Sequence, residues 1–465
     1  MQDLIISISG VRGIAGQNLT AQVAARFGRA FGQYLKATMP SGAPLKVVIG
    51  RDTRHYGIEL FNGLSAGLDA EGVAICNIGI VPTPTVQLFV TAQKSSGGII
   101  ITASHNPKEW NGLKFVSHEG IFLNQKEGEQ FLSYYEKLSG AETMALPSSI
   151  MTDQPWYEQA AALHLNKVLS HVDVSLIKKR KLKVAMDCAN GAGGEMTLRL
   201  LKSLGCDVIG INMEPKGDFN RSPEPIPANI QTLCDAIKTE KADIGFAQDA
   251  DADRLAIVDE TGRPIGEDNT LVLAVKHILS LSKNKSAALA PKVVTNLSTT
   301  MAIDDIAREY DATMIRTKVG EINVSMAIKN EGALIGGEGN GGVIWPVIGL
   351  GRDSLAGIAL ILELLATENK PLSTIMNTLP RYVMVKDKVT CTKKSEVAEL
   401  LAQLDLIAWE APVRELNKDD GVKIVFQNSW IHVRGSNTEP IARIIAEAPT
   451  EADARGLIDR LRGAQ

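Results

Sequence analysis

Aromatic residues, cysteines and an excess of charge are all scarce in this chain. Only 5% of its 465 residues are aromatic, and 49 basic against 53 acidic side chains leave a net charge of −4. Without a basic arm or rings on which bases could stack, the chain is not expected to bind nucleic acid. Its hydrophobic fraction of 45% is typical of a globular protein that buries several cores.

The sequence also shows no cysteine-pair spacing, no signal-peptide pattern and no long apolar run. The five cysteines are scattered without CxxC spacing, which argues against a zinc site or disulfide framework and favours a reducing compartment. The N-terminus, MQDLIISISGVRG, lacks the basic lead and apolar core of a signal peptide. The longest apolar run, LAGIALILELLA (355–366), is too short to cross a bilayer and contains Glu363, so it predicts a buried helix. We therefore expect a cytoplasmic protein without a membrane partner.

One structural unit recurs three times. Each copy reads as a short buried strand ending in a polar loop, then a helical pattern and a second strand; the copies begin at LKVVIGRDTR (45–54), LKVAMDCANGAGG (182–194) and PKVVTNLSTT (291–300). Strand–helix–strand units of this size imply parallel pairing and right-handed crossovers. The sequence therefore predicts an α/β fold: three similar mixed α/β domains with parallel-paired sheets plus a C-terminal α+β domain, around one central cleft.

Polar, proline-bearing segments separate these units. GAETMALPSSIMTDQPW (140–156) and NKPLS (369–373) read as linkers, and the tail mixes strand and helix patterns. Four domains are expected, each with one functional loop: 1–145 with a serine loop, 155–258 with an acidic loop, 259–370 with a glycine-rich loop, and 371–465 with a phosphate-binding loop.

The serine loop lies in GGIIITASHNPKEWNGLKF (97–115). An apolar strand runs into small residues that present Ser104 and His105, and Pro107 keeps the loop from continuing as a helix. A serine there is either a nucleophile or phosphate carrier, or a turn serine that caps its own backbone. No GxSxG elbow surrounds it, which argues against a hydrolase triad. Lys114 is either a proton-transfer group or a surface lysine.

The acidic loop is AQDADADRLAIV (247–258). Asp249, Asp251 and Asp253 alternate, and each pair of such charges at ~4 Å would repel by roughly 4 kcal/mol at an effective dielectric of ~20. A bent loop could close them on one cation, and hard oxygen ligands suit Mg²⁺. An EF-hand is rejected because Arg254 stands where its turn needs glycine and LAIV reads as a strand. The remaining alternative is an exposed acidic turn.

Two further loops offer groups suited to a phosphosugar. In ALIGGEGNGGVIWP (333–346) the glycines match GxGxxG, but β-formers follow where a dinucleotide fold needs a helix. What remains is either a loop that offers Glu338 and Asn340 to sugar hydroxyls or a plain hairpin. In WIHVRGSNTEPIARIIAEA (430–448) a guanidinium, hydroxyls and backbone N–H groups fall within one turn, a combination that binds phosphate, and the alternative is a polar hairpin turn. The groups of this second loop are Arg434, Ser436, Asn437 and Thr438, with Arg443 on the next element.

These loops together resemble the α-D-phosphohexomutase superfamily. TASHNP, the DxDxDR pattern, GGEGNGG and RGSNTEP occur in that family's order and at its usual separations, and SGVRG (9–13) and GRDTR (50–54) match its N-terminal signatures. The likeness covers nearly the whole chain. Four ordered motifs are specific, whereas any one alone would be weak.

The resemblance implies an intramolecular phosphotransferase acting on a phosphosugar. Ser104 would be phosphorylated in the resting enzyme, and Asp249, Asp251 and Asp253 would bind one Mg²⁺ together with an oxygen of the phosphoserine. Hexose 6-phosphate and hexose 1-phosphate would interconvert through a hexose 1,6-bisphosphate that reorients in the site. Position by position, the likeness implies proton handling and charge stabilisation by Lys114, His105, Arg12 and Arg254. It likewise implies sugar recognition by Glu338 and Asn340, and phosphate binding by Arg434, Ser436, Asn437 and Thr438.

The glycine-rich loop departs from the pattern of many bacterial members, GGE-S-GH. Gly342 stands at the histidine and Asn340 at the serine, which puts a second acid or base from this loop in question. The form GGEGNGG is similar to a branch common in archaea; glucosamine phosphate is our first expectation for the sugar, and mannose or glucose phosphate is the alternative. A sugar-phosphate hydrolase and a non-catalytic sugar-phosphate sensor are the alternatives from other classes, and the intact Ser104 and aspartates argue against the sensor.

Overall fold

The protein is described by a computed structural model. The described residues are 4–7, 10–138, 153–283, 290–390, 394–404, 407, 409–435 and 441–463. Two compact units account for the chain, Met1–Thr270 with Asn340–Met376 and Leu271–Gly339 with Asn377–Gln465. They are called the first and the second unit below, and each is described by itself.

The chain enters the first unit through a mixed sheet flanked by helices. The elements are β1 (Ile5–Ser7), β2 (Gly10–Ile14), α1 (Ala21–Thr38), β3 (Lys46–Arg51), α2 (Gly57–Asp69), β4 (Ala74–Ile80), α3 (Thr83–Ala92), β5 (Gly97–Ile101), β6 (Trp110–Ser117) and α4 (Gln125–Lys137). The strand order is β1-β2-β6-β5-β3-β4, with β3 parallel to β4 and β5 and the other pairs antiparallel. A core of apolar side chains, including Phe27, Phe31 and Leu64, buries the faces of α1 and α2.

A second sheet follows in the first unit. Its elements are α5 (Tyr157–Leu169), α6 (Val174–Arg180), β7 (Lys183–Asp187), α7 (Gly194–Ser203), β8 (Asp207–Ile211), a 3₁₀ turn (Pro227–Asn229), α8 (Gln231–Glu240), β9 (Ile244–Gln248) and β10 (Leu255–Asp259). The order is β10-β9-β7-β8, with β7 parallel to both neighbours and β9 antiparallel to β10.

The third set of elements repeats the plan. It comprises α9 (Glu267–Ser282), β11 (Lys292–Asn296), α10 (Ala302–Glu309), β12 (Thr313–Thr317), α11 (Glu321–Glu331), β13 (Ile335–Glu338), β14 (Gly342–Ile344), α12 (Ser354–Glu368) and α13 (Leu372–Met376). In the second unit, β11 pairs in parallel with both β12 and β13. No helix follows the glycine-rich loop directly after β13 in the described chain, so the chain departs from a dinucleotide-binding βαβ unit there, as the sequence predicted.

The last set builds an antiparallel sheet in the second unit. Its elements are β15 (Val383–Thr390), α14 (Lys394–Gln403), β16 (Glu415–Asn417), β17 (Val422–Val425), β18 (Trp430–Gly435), β19 (Ile441–Ala448) and α15 (Glu451–Gly463), and the strand order is β15-β19-β18-β17-β16. Three sheets with parallel pairs and one antiparallel sheet confirm the predicted fold class. The domain boundaries themselves stay a prediction, and most of the expected linker at 140–156 lies outside the described residues.

Local signals explain where these elements turn. At the joints between the helix and the second strand of the three repeats, Gly72, Gly205 and Asp311 adopt φ values of 69°, 75° and 53°, a left-handed geometry that glycine and aspartate tolerate best. The predicted buried helix is α12: Ser354 to Ala366 are buried, and Asp353 caps its first turn. Among the helices of the described chain, none is long and apolar enough to span a bilayer. Four cysteines are free thiols, namely Cys76, Cys188, Cys206 and Cys234, and Cys391 lies outside the described residues.

Candidate active site

Ser104 lies in the loop between the antiparallel strands β5 and β6. It is 2% exposed, and its φ of 50° places it in the left-handed region, where a residue with a Cβ is strained. Its backbone N–H donates to Oγ1 of Thr102 at 2.9 Å. Such strain persists only where surrounding contacts hold it, and it is frequent at functional sites.

Arg54 supplies those contacts. Its guanidinium donates to the carbonyl oxygens of Ser104 and Asn106 at 2.7 Å each, and also to those of Pro107 and Trp110. Asp52 accepts from Nε of Arg54 at 3.0 Å and so fixes the guanidinium. The GRDTR signature by itself assigns no role to Arg54, because contacts over 50 or more residues of separation have no local signal.

The three aspartates occupy the turn between β9 and β10. Oγ of Ser104 donates to Oδ2 of Asp249 at 2.9 Å, which joins the serine loop to the acidic loop. Asp249, Asp251 and Asp253 are at most 1% exposed, and each places one carboxylate oxygen within 4.8 Å of the others. The exposed acidic turn considered from the sequence is therefore wrong, because all three carboxylates are buried together.

Lys114 is drawn into this cluster. Its Nζ lies 2.8 Å from Oδ2 of Asp251 and 3.6 Å from Oδ2 of Asp253, and the residue is 7% exposed, which excludes the surface-lysine alternative. Burial alone would lower the pKa of Lys114, but the charges of Asp251 and Asp253 outweigh it, so the pKa is raised. Burial, then the charges of Asp253 and Asp251, raises the pKa of Asp249 well above its ordinary value.

The cluster fits a divalent cation. Within the described chain, the Oδ1 atoms of Asp251 and Asp253 are buried and have no hydrogen-bond partner, although buried carboxylate oxygens normally have one. Lys114 and Arg352 form their hydrogen bonds with the Oδ2 atoms of these two aspartates. Three buried carboxylates, each with one oxygen within 4.8 Å of those of the other two, form a hard-ligand set of the kind that Mg²⁺ prefers.

Two residues that no sequence motif indicates hold the aspartates in place. Thr83 is fully buried and donates from Oγ1 to Oδ2 of Asp251 at 2.7 Å. Arg352, 7% exposed, donates from its guanidinium to Oδ2 of Asp253 at 2.6 Å. Sequence separations of 168 and 99 residues explain why the motifs did not point to them.

Three predicted cationic or proton-handling groups also surround Ser104. Arg12 donates to the side-chain oxygen of Asn106 at 3.2 Å, and Nε of Arg254 lies 3.9 Å from both Asp249 and Asp253. Burial lowers the pKa of His105 to about 3, and the charges of Arg254 and Arg12 add to the effect. In the described chain, Nδ1 of His105 is buried without a hydrogen-bond partner, so a neutral ring nitrogen is free there.

The predicted sugar-reading residues have well-defined surroundings. In the second unit, Oε1 of Glu338 accepts from Nδ2 of Asn296 at 2.9 Å and from the backbone N–H of Gly320 at 3.1 Å. Glu338 is 4% exposed at the end of β13. In the first unit, Oδ1 of Asn340 accepts from the backbone N–H of Gly342 at 3.2 Å and shapes the glycine-rich turn.

The strands that carry the predicted phosphate-binding residues of the second unit present a row of cations. Arg434 on β18 is directly opposite Arg443 on β19, and Arg443 is directly opposite Lys388 on β15. Directly opposed residues project from one face with Cβ atoms roughly 5 Å apart, so these like charges repel unless an anion offsets them. Lys388 was not predicted, since only strand register aligns it with the arginines. Ser436, Asn437 and Thr438 lie outside the described residues.

Similarity to known proteins extends over the whole chain. Four profiles of the phosphoglucomutase/phosphomannomutase family match in order: alpha/beta/alpha domain I at residues 4–141, domain II at 162–262, domain III at 266–382, and the C-terminal domain at 385–464.

Curated relatives and solved structures agree with the profiles. The chain is 38% identical to a phosphoglucomutase/phosphomannomutase of Thermococcus kodakarensis, with 97% of this chain and 96% of that protein aligned. It is 35% identical to a probable phosphoglucosamine mutase of Methanopyrus kandleri, over 97% and 95% of the two chains. A crystal structure of a phosphoglucomutase/phosphomannomutase family protein from Burkholderia thailandensis superposes with a TM-score of 0.83 at 28% identity, covering 99% of this chain and 97% of the other.

Proposed function

Because the chain belongs to the phosphoglucomutase/phosphomannomutase family of the α-D-phosphohexomutases and is a sugar-phosphate mutase, we propose that it interconverts glucosamine 6-phosphate and glucosamine 1-phosphate through a phosphoserine at Ser104. The observation that carries the phosphoserine is the 2.9 Å hydrogen bond from Oγ of Ser104 to Asp249, beside two buried carboxylate oxygens that lack partners in the described chain.

The proposed transfer has two halves. In the first, a substrate hydroxyl oxygen attacks phosphorus of the phosphoserine, the bond from phosphorus to Oγ of Ser104 breaks, and a hexose 1,6-bisphosphate forms. The hydroxyl proton needs an acceptor, and we assign this role to His105, whose buried Nδ1 has no hydrogen-bond partner in the described chain. Lys114, whose pKa is raised, stays protonated and stabilises charge at the departing serine oxygen. In the second half the reoriented bisphosphate returns its other phosphoryl group to Ser104.

Asp249, Asp251 and Asp253, with an oxygen of the phosphoserine, would hold one Mg²⁺. Bound there, the ion withdraws charge from the phosphoryl group and offsets the repulsion among the carboxylates. The protein's own contribution is to keep those ligands in register, through Thr83 on Asp251 and Arg352 on Asp253.

Recognition of the substrate would fall to the remaining predicted residues. Arg434 and Arg443, with the loop groups Ser436, Asn437 and Thr438, would bind whichever phosphate is not reacting, and the facing charges of the two arginines favour an anion there. Glu338 and Asn340 would accept or donate hydrogen bonds to the sugar in both of its orientations. Arg12 and Arg254 would neutralise phosphate charge beside Ser104.

The identity of the sugar is tested by a substrate panel. We expect purified protein with Mg²⁺ and a catalytic amount of hexose bisphosphate to convert glucosamine 6-phosphate with a higher kcat/KM than mannose 6-phosphate or glucose 6-phosphate. A preference for the mannose or glucose substrate would instead support the second candidate, the activity for which the Thermococcus relative is named.

The covalent step is tested on the same preparation. Intact-mass and peptide analysis are expected to find phosphate on Ser104, and Ser104→Ala is expected to lower kcat by at least ~10³-fold, the order of loss that follows removal of a nucleophile. Ser133→Ala, at a half-buried position of α4 whose hydroxyl donates only to the carbonyl oxygen of Gln130, is the matched control and should leave kcat unchanged. Release of free phosphate at the rate of isomerisation would favour a hydrolase, and full activity of Ser104→Ala would reject the phosphoserine.

A further inference from the structure

Glu338 and Arg434, the proposed contacts for the sugar and for the distal phosphate, are tied together inside the second unit. We propose that Asp420 and His432 are positioning residues that hold these two contacts at a fixed separation, so that one substrate is recognised at both ends at once. The inference rests on the function proposed for Glu338 and Arg434. Neither Asp420 nor His432 is among the residues to which the sequence motifs point.

Asp420 forms the first connection. Its Oδ2 accepts from the backbone N–H of Val319 at 2.9 Å and lies 3.4 Å from Nε of Arg434. The next residue, Gly320, donates its own N–H to Oε1 of Glu338 at 3.1 Å. Gly320 has a φ of 123°, which a side chain would strain, so this turn is built to present two adjacent N–H groups. One carboxylate therefore joins the arginine to the backbone that holds Glu338.

His432 forms the second connection. Its Nε2 lies 2.6 Å from the carbonyl oxygen of Asp420, and its Nδ1 lies 2.9 Å from Oγ of Ser298. Because a carbonyl only accepts, Nε2 carries the proton and Nδ1 accepts from the hydroxyl of Ser298. Ser298 donates its N–H to Oδ1 of Asn296 at 2.8 Å, and Nδ2 of Asn296 donates to Glu338 at 2.9 Å. The two connections meet at Glu338 and close a ring of hydrogen bonds.

Buried contacts next to the ring make it rigid. Lys423, 2% exposed, donates from Nζ to the carbonyl oxygen of Leu297 at 2.6 Å, and the backbone N–H of Met301 donates to Glu447 at 2.8 Å. His432 is fully buried, and Glu447 is 1% exposed. Paired polar groups in a buried environment favour one arrangement, because an alternative would leave a desolvated group unpaired.

A fixed separation between Glu338 and Arg434 would select substrates by the distance between their sugar group and their phosphate. A hexose phosphate offers a ring hydroxyl or amine and a phosphate separated by a fixed number of bonds. Held at one separation, Glu338 and Arg434 favour compounds of that span in both orientations of the bisphosphate. If the ring is loosened, Glu338 and Arg434 can each still contact the substrate, but they no longer favour binding at both ends at once. We therefore expect KM to rise by a larger factor than kcat falls.

The test measures how Glu338 and Arg434 depend on each other. In a double-mutant cycle on the wild-type protein, we combine Glu338→Gln with Arg434→Lys. The kcat/KM of the double variant is expected to differ by about tenfold from the value obtained by combining the two single effects, because residues in one network are coupled. In the Asp420→Ala background the same cycle is expected to be additive within about twofold. Asp419→Ala is the matched control and should keep the tenfold coupling, because Asp419 is an exposed neighbour whose hydrogen bonds are with Asn417.

Two further variants keep the test decisive if Asp420→Ala does not fold. Asp420→Asn retains an oxygen for Val319 but loses the charge facing Arg434, and Ser298→Ala breaks only the connection through His432. Either should reduce the coupling and raise KM while melting close to the unchanged protein. Coupling that persists in the folded variants overturns the inference. If the wild-type protein isomerises no hexose phosphate, the proposed function is overturned instead. Failure of the inference and failure of the proposed function are therefore distinguishable.

Discussion

Gly342 stands where many bacterial members carry histidine, and its neighbour Arg352 leaves no room for a side chain. A Cβ at Gly342 would lie 2.2 Å from Cδ of Arg352, which is buried and bonded to Asp253. The guanidinium of Arg352 is held by its hydrogen bond to Asp253, so Cδ cannot move away by itself. The arginine side chain must therefore give up its hydrogen bond to Asp253 before a Cβ fits at Gly342. The space next to Gly342 is thus occupied by the aliphatic stem of Arg352, whose guanidinium cannot transfer protons at neutral pH and donates instead to Asp253, a predicted metal ligand.

Gly342→Ala is expected to be costly for this reason. Overpacking of this kind typically costs about 1–3 kcal/mol in the free energy of unfolding, and displacement of Arg352 should also weaken Mg²⁺ binding. Urea denaturation and calorimetric titration with Mg²⁺ measure the two effects. Gly456→Ala is the control, because a Cβ on that helical glycine in α15 would meet no atom within 4 Å, and alanine there should stabilise by up to about 1 kcal/mol. Tolerance of Gly342→Ala with unaltered Mg²⁺ affinity would contradict the role given to Arg352.

At the scale of elements, β18 carries a histidine that the fold keeps neutral. Burial lowers the pKa of His432 to about 4, despite the opposing hydrogen bond to the carbonyl of Asp420. In the unfolded chain the imidazole titrates near its ordinary value of about 6.5. A histidine whose folded pKa lies below its unfolded pKa contributes stability that is present above about pH 6.5 and is lost as the pH falls towards 4.

Replacement of His432 should therefore lower the free energy of unfolding less at acidic pH than at neutral pH. The pKa difference corresponds to at most about 3 kcal/mol, so the stability gap between the unchanged protein and His432→Asn is expected to narrow by up to that amount between pH 7.5 and pH 4.5. Urea unfolding at both pH values measures it. His118→Asn, at an exposed histidine, should show no such change. A gap of equal size at both pH values would mean that His432 does not titrate as its burial requires.

For the whole molecule, the fold was more predictable than the site. Short apolar runs such as the one around Val47 are each followed by a helix that ends in a turn, as at Gly72 or Gly205, and this succession is a local signal for parallel strand pairs. The EF-hand was rejected correctly because LAIV forms β10, paired with β9. The motifs also pointed to Ser104 and the three aspartates, and the structure brings Ser104 within hydrogen-bond distance of Asp249.

What the sequence did not reveal depends on distant packing. Thr83 and Arg352 contact the aspartates across 168 and 99 residues, and neither lies in a motif. Lys114 was left open between a surface lysine and a proton-transfer group, because its burial depends on the charges of Asp251 and Asp253 that meet it only in the fold. Register across three strands, which aligns Lys388 with Arg443 and Arg434, is likewise invisible to any linear pattern.

Addition of Mg²⁺ is expected to stabilise the whole chain. Three buried carboxylates with two unpartnered oxygens in the described chain are unfavourable without a cation, and a ligand bound only to the folded state at 100 times its Kd adds about 2.7 kcal/mol. We expect the wild-type protein to have a higher Tm with Mg²⁺ than after treatment with EDTA. In Asp251→Asn, most of this increase in Tm should be lost. Asp235→Asn, on the exposed face of α8, should keep it. The comparison uses the increment and not the absolute Tm, because Asp251→Asn also removes the partner of Lys114. An equal increment in Asp251→Asn and the unchanged protein would place the ion elsewhere, and the buried aspartates would then need another partner.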